Sequence, residues 1–452
     1  MPNLPELQKI SQISPDQSVI CITGENGLPE WLKLSKSEKE YALRQLQVNE
    51  EYVVINSYFK VTYIVRVKDN LPDFRQKEEL RKTAYNLRKI IKSNNHSQLV
   101  IAPHMAFNGA AGAFTEGLLL SFYSFDKYKT VGDDREKTDY PSKLLLYEGP
   151  DDEDLKWLAD LTYSVWLIRD LINEPVSHLN APALAEEIKK AGEESGFSVE
   201  VLNRGRIEAL KMGGLLAVNR GSVDPPVFCI LEWKPEKALN EKPVVLVGKG
   251  IVYDTGGLNI KPGDYMENMK GDMAGAAAVT GAIRTIAKAG LPIHVVGLVP
   301  ATDNRPGGNA YTQGEIITMY NKMTVEVGNT DAEGRLILAD AISYASKYKP
   351  ELIIDVAHLQ ARRQWLLEYR VLQLWAMPTG SISGCWRKAA MRCMREWLKC
   401  LSGKNTENLS NRILLMSGIS EEGKQVQSPR ENSWNDLRNI LLFIWILPVP
   451  EC

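Results

Sequence analysis

The sequence predicts an α/β protein of two domains, the second a mostly parallel sheet flanked by helices. Three observations carry this expectation. Beyond about residue 155, strand-like and helix-like segments alternate, which is the pattern of βαβ units. The strand candidates there, Pro226 to Trp233 and Val244 to Val247, are β-branched apolar runs without polar alternation, as in sheets covered on both faces. Glycine- and Asp-rich segments sit just after strands and just before helices, where open α/β sheets carry their chemistry.

Taken in order, Val53 to Ile55, Val61 to Val67 and Gln98 to Pro103 have strand composition, and Glu78 to Lys92 has helical periodicity with its charges outward. The basic stretch Arg81 to Lys92 reads as a solvated face. Residues 133–154 are charged and contain Pro141 and Gly149-Pro150, so a domain connection is expected there. A long amphipathic helix begins at Leu155, with Trp157 and Trp166 read as packing residues. Then come a helix over 183–195, a strand over 198–202, a further unit opening at Gly213, a helix over 274–289 and a strand over 293–299. A helix over 336–347 and a strand over 352–356 complete the pattern. The expected division is 1–154 as an N-terminal domain with linker, 155–357 as the catalytic domain, and 358–452 as a segment of different character.

A chain of 452 residues is long enough to bury two or three cores. Its net charge of −2 and pI near 6.3 point away from nucleic acid and anionic membranes as partners. No basic region followed by an apolar block opens the chain, and the run Ile440 to Pro448 is far short of the ~20 residues a spanning helix needs. A cytoplasmic location is therefore expected. Six cysteines without a C-x-x-C pair exclude a zinc ribbon and a disulfide scaffold.

The chemistry gathers in two stretches. One is Val247-Gly248-Lys249-Gly250-Ile251-Val252-Tyr253-Asp254-Thr255-Gly256-Gly257-Leu258-Asn259-Ile260-Lys261-Pro262, followed by Met269-Lys270-Gly271-Asp272-Met273; the other is Asn329-Thr330-Asp331-Ala332-Glu333-Gly334-Arg335-Leu336. Alone, Asp272 reads as a helix cap, Gly256-Gly257 as a turn and Lys249 as a solvated charge. Gly248-Lys249 lacks P-loop spacing. Together the segments bring an amine and four carboxylates to one crevice. Like carboxylates raise one another's pKa, so the cluster calls for cations, and two divalent ions would meet the need. None of the five histidines falls in these motifs. An oxygen-rich donor set suits Mn²⁺, Mg²⁺ or Zn²⁺.

In order and spacing these segments strongly resemble the M17 leucyl aminopeptidases, as do Arg169-Asp170-Leu171-Ile172-Asn173-Glu174-Pro175 at the entry to the catalytic domain. The resemblance implies a two-metal peptidase that removes N-terminal, leucine-type residues from peptides, and a homohexamer. It implies Asp254 and Glu333 as bridging ligands, Lys249 and Asp272 as ligands of one metal, and Asp331 of the other. It further implies Lys261 as the oxyanion stabiliser, Arg335 as the holder of a bicarbonate general base, and Met269 and Asn329 as substrate-side residues. Two metals close together would lower the pKa of a bound water and polarise the scissile carbonyl.

After Ala357 the family's Thr-Leu-Thr-Gly turn is replaced by His358-Leu359-Gln360-Ala361. Six of the ten tryptophans and four of the six cysteines lie in the last 95 residues, and Asp436 is the only Asp there. This shift suggests a tail translated in another frame or mis-spliced, to be tested by translating the other two frames beyond codon 357. It also implies a catalytic sheet with a bare edge, and an aggregation-prone run at Leu441 to Leu447. Two rival functions follow: an impaired chain that keeps the metal site but lacks a complete substrate pocket, and a DNA-binding accessory role carried by the basic helix.

Overall fold

The computed structural model describes residues 4–24, 27–48, 51–68, 71–104, 109–130 and 140–358, with the backbone alone of 374–376 and 443–447. The chain divides into two compact units, Met1–Asp170 and Leu171–Cys452.

The first unit holds β1 (Glu6–Ile10), β2 (Val19–Thr23), α1 (Lys36–Gln47), β3 (Tyr52–Asn56), β4 (Val61–Arg66), α2 (Asp73–Ser93), β5 (Gln98–His104), α3 (Ala110–Ser121) and β6 (Lys143–Tyr147). Its six strands run in the order β1-β6-β5-β2-β4-β3, all pairs parallel except β3 with β4. Successive residues of β2 point to opposite faces. Ile20 and Ile22 enter a core with Leu80, Leu87 and Phe114, whereas Val19 and Cys21 pack with Ala42 and Leu46. Helix α1 starts at a capping box in which Ser35 and Glu38 satisfy each other's backbone N–H groups.

Helix α4 (Asp152–Asn173) carries the chain across the division between the units. Trp166 is fully buried on it, but Trp157 is 40% exposed, correcting the expectation that both pack. Nine residues span about two and a half helical turns, so the two rings lie on opposite faces.

The second unit continues with α5 (Ala181–Ser195), β7 (Ser198–Leu202), α6 (Arg204–Ala209), α7 (Gly213–Asn219), β8 (Val227–Trp233), β9 (Val244–Gly248) and β10 (Gly250–Asp254). After these come α8 (Ala274–Lys288), β11 (Val295–Asn304), β12 (Ile316–Thr318), β13 (Thr324–Glu326), α9 (Glu333–Ala345) and β14 (Leu352–Ala357). At the centre β14, β9 and β11 are parallel neighbours, and β8 and β7 follow antiparallel. The sheet is thus parallel where the site forms and antiparallel beyond it. Strands β12 and β13 form a separate ribbon, so the strand expected to lead into Asp331 lies outside the main sheet. Helix α9 begins three residues earlier than expected, which makes Glu333 its first residue.

The edge of β14 is not bare as expected. The backbone of β16 (Phe443–Leu447) pairs antiparallel with it, and β15 (Leu374–Ala376) pairs parallel with β16. The remainder of the tail lies outside the described residues, as does part of the expected linker.

Candidate metal centre

The site begins with a break in a strand. Strands β9 and β10 are two halves of one path along β11, and Lys249 occupies the single residue between them. Its backbone N–H donates to Val356 O at 3.0 Å and its carbonyl accepts from Ala276 N at 2.9 Å, which locks the break between β14 and α8. Helix α8 can come this close because residue 275 is glycine; a Cβ there would sit 2.1 Å from Val356 O. That approach brings Asp272, just ahead of α8, against Lys249.

A second loop leaves β10 at Asp254 and turns at Gly256 and Gly257, which adopt φ values of +86° and +64°. A Cβ at residue 256 would lie 2.3 Å from Asn259 O. The loop is stitched to the segment ahead of α9 by Thr330, whose hydroxyl donates to Gly256 O at 2.6 Å and accepts from Asn259 N at 2.8 Å. Asn259 Oδ1 in turn accepts from Thr330 N at 2.8 Å. Tyr311 donates to Thr330 O from below at 2.6 Å. Asn329 caps the short turn by accepting from Asp331 N at 2.8 Å.

The product is a pair of ammonium groups set among four carboxylates. Lys249 Nζ lies 2.6 Å from Asp272 Oδ2 and 2.8 Å from Glu333 Oε1, and Lys261 Nζ lies 2.8 Å from Asp254 Oδ2 and 2.5 Å from Asp331 Oδ1. Lys249, Asp254, Asp272 and Glu333 are almost wholly buried. All nine residues singled out from the sequence line one pocket of about 880 Å³: Lys249, Asp254, Lys261, Met269, Asp272, Asn329, Asp331, Glu333 and Arg335. Met269 is half-buried on its wall and Arg335 is exposed in the first turn of α9.

The electrostatics follow from this arrangement. Burial alone would lower the Lys249 amine, but Asp272, Glu333 and Asp254 outweigh it and hold the amine above its ordinary value. Lys261 is raised against its own burial by Asp254 and Asp331. Burial also works to raise Asp272, but Lys249 and His358 overcome it and the carboxyl ends below its ordinary range. Glu333 goes the other way: burial, with Asp254 and Asp272, raises it against the pull of Lys249.

Several contributors were not singled out from the sequence. Asn304, the last residue of β11, donates from Nδ2 to Asp254 Oδ1 at 2.9 Å and to Thr330 O at 3.0 Å, and reaches Glu333 Oε2 at 3.4 Å. Its place at the carboxyl end of a central strand was the available signal. His358, read as outside the motifs, lies on the pocket wall with its Nδ1 2.7 Å from Asp272 Oδ1.

These residues fit divalent cations. Carboxylate oxygens of Asp254, Asp272 and Glu333 lie within 4.8 Å of one another. Asn304 Oδ1 is a buried acceptor with no hydrogen-bond partner among the described residues, and buried Asp272 Oδ2 faces the Lys249 ammonium at 2.6 Å. Hard oxygen donors in that number suit a hard or borderline divalent ion.

Comparison with known proteins agrees. The profile described as "Cytosol aminopeptidase family, catalytic domain" matches residues 166–382, and so reaches past Ala357. A probable cytosol aminopeptidase of Chlorobium limicola is 47% identical over 275 residues, covering 58% of this chain and 54% of that protein. One from Chlorobaculum tepidum is 48% identical over 261 residues, covering 55% and 51%, and one from Aquifex aeolicus is 44% identical over 247, covering 55% and 49%. The chain thus spans about half the length of the curated relatives it matches. Among solved structures, a bottromycin maturation enzyme, BotP, in complex with Mn is similar with a TM-score of 0.66 and 26% identity, covering 77% of this chain and 74% of that one.

Proposed function

We propose that the chain is a member of the M17 cytosol aminopeptidase family, whose catalytic-domain profile it matches over residues 166–382, and a metal-dependent aminopeptidase hydrolysing the first peptide bond of peptides. The observation that carries this reading is the pairing of four carboxylates around two ammonium groups on one pocket wall. A chain with no use for cations there would replace such a cluster with apolar residues at little cost in stability.

In this reading two divalent ions would be held by Asp254 and Glu333 together, with Lys249 and Asp272 on one side and Asp331 on the other. Divalent ions at this place supply Lewis-acid polarisation of the scissile carbonyl and a water that is acidic near neutral pH. Lys249 could hold an ion only as the neutral amine, and the carboxylates around it favour the ammonium form where no cation offsets them. Lys261, whose side chain is 14% exposed, turns its ammonium from Asp254 and Asp331 toward the oxygen that becomes negative when the carbonyl is attacked. Arg335 stands in the first turn of α9, where a guanidinium and the helix N-terminus both favour an anion, and this supports it as the seat of a bicarbonate general base. Half-buried Met269 favours an apolar, leucine-type first residue, and Asn329 lines the same pocket. Manganese is the first ion to try, because a similar structure holds it. Work in the cytoplasm is supported by the relatives' names, and no helix among the described residues is long and apolar enough to cross a membrane. A homohexamer belongs to the same reading and is checked by sedimentation.

One observation favours a second reading, a chain that binds metal without turnover: the family match ends at residue 382 and the family's turn is replaced from His358 onward. Hydrolysis of a leucyl anilide by the full chain with Mn²⁺, beside Asp331→Ala, separates the two. Turnover lost in the variant supports the peptidase; metal-loaded, soluble protein without turnover overturns it in favour of the second reading.

A further inference from the structure

Residue 358 touches both members of the pair formed by Lys249 and Asp272. Its carbonyl oxygen accepts from Lys249 Nζ at 2.9 Å, and its imidazole Nδ1 lies 2.7 Å from Asp272 Oδ1. Asp272 is buried, and a carboxylate oxygen accepts only, so in this 2.7 Å contact the Nδ1 carries the hydrogen and donates it. With Oδ1 taken by His358, the oxygen left over is Oδ2. That atom faces the Lys249 ammonium at 2.6 Å. The anchor of this arrangement is firm, because Val356, two residues earlier on β14, accepts the Lys249 backbone N–H. The same strand end therefore holds the Lys249 main chain, the Lys249 amine and the Asp272 carboxylate.

We propose that His358 is a positioning residue of the cation site: its Nδ1–H fixes the Asp272 carboxylate so that Oδ2 is presented toward Lys249 and Glu333. This rests on the metal-dependent reading above. Hydrogen bonds to a ligating carboxylate orient it and tune its basicity, and losing one typically costs about 10–100-fold in metal affinity. The effect belongs to the ion held by Asp272 and Lys249, and it requires no contact between His358 and substrate.

The test is Mn²⁺ binding to the purified full chain by calorimetry, on wild type, His358→Ala, His358→Asn and His358→Gln. Asparagine carries its N–H donor at about the distance of Nδ1, whereas glutamine carries it one carbon farther out. The expected result is one Mn²⁺ site weakened by about 10–100-fold in His358→Ala, restored to within about threefold in His358→Asn and still weak in His358→Gln. Wild-type affinity in His358→Ala overturns the proposal. So does equal weakening in all three variants with lowered thermal midpoints, which marks a packing role. If His358→Ala fails to fold, the difference between His358→Asn and His358→Gln decides. Absence of Mn²⁺ binding by wild type itself overturns the metal-dependent reading, and this proposal falls with it.

Discussion

The two units are built on the same plan, a parallel sheet covered by helices, yet they bury different things. Among the described residues of the first unit, the buried polar groups are five threonines, Ser164 and Gln76, none of them charged. The second unit buries Lys249, Asp254, Asp272, Glu333, Asp340 and Asp355. Desolvating that many charges costs several kcal/mol per ion unless partners are well placed. The difference teaches where function was built: the first unit's interior follows hydrophobic burial alone, while the second gives up stability to hold charge at its strand ends.

The comparison breaks most sharply at the charges themselves. Glu333→Ala removes a carboxylate that faces Lys249 and Asn304, and turnover of a leucyl anilide should fall by more than about a thousandfold, in line with the loss of a preorganised electrostatic group. Residual activity within tenfold of wild type would remove Glu333 from the site. Lys261→Ala should lower turnover by about a hundredfold while two Mn²⁺ per chain are still bound; parallel loss of metal would recast Lys261 as a structural counter-ion. Gly275→Ala drives a methyl group against Val356 O and should destabilise the second unit by about 2–4 kcal/mol in urea unfolding, with the first unit unaffected.

Asp355 sharpens the comparison through pH. Burial pushes its carboxyl up to about 7, against a backbone hydrogen bond and Lys249, and its Oδ1 has no hydrogen-bond partner among the described residues. A raised carboxyl means the folded state holds its proton more tightly than the unfolded one. The group's contribution is therefore most favourable below about pH 4 and is lost as pH rises toward 7. Asp355→Asn should then raise stability by roughly 2–4 kcal/mol at pH 8 and by almost nothing at pH 4. Equal thermal midpoints for variant and wild type at pH 8 would refute the assignment. At the bottom of the scale, Lys190→Ala, which removes an exposed pair with Glu187, should change stability by less than about 0.5 kcal/mol at any pH.

Legibility from the sequence varied with the range of the interactions. Strands β8 and β9 were readable because fully buried strands are short apolar runs, and the nine pocket residues because their motifs are contiguous. Trp157 was misjudged because its helix packs on one face only. The start of α9 at Glu333 was missed because a charged first turn looks like loop. Asn304 and His358 were missed because each acts through partners 26 to 109 residues away, such as Thr330 and Lys249, and no local pattern records that.

The sequence by itself determined the α/β alternation, the family resemblance and the set of charged groups available for chemistry, since these depend on local periodicity and on residues near one another in the chain. Only the tertiary structure decided which lysine faces which carboxylate, that Asn304 and His358 join them, and that β16 pairs with β14. Those outcomes depend on close backbone approach, as at Gly275, and on the mutual satisfaction of buried charges. Both are properties of the packed chain and of no single segment.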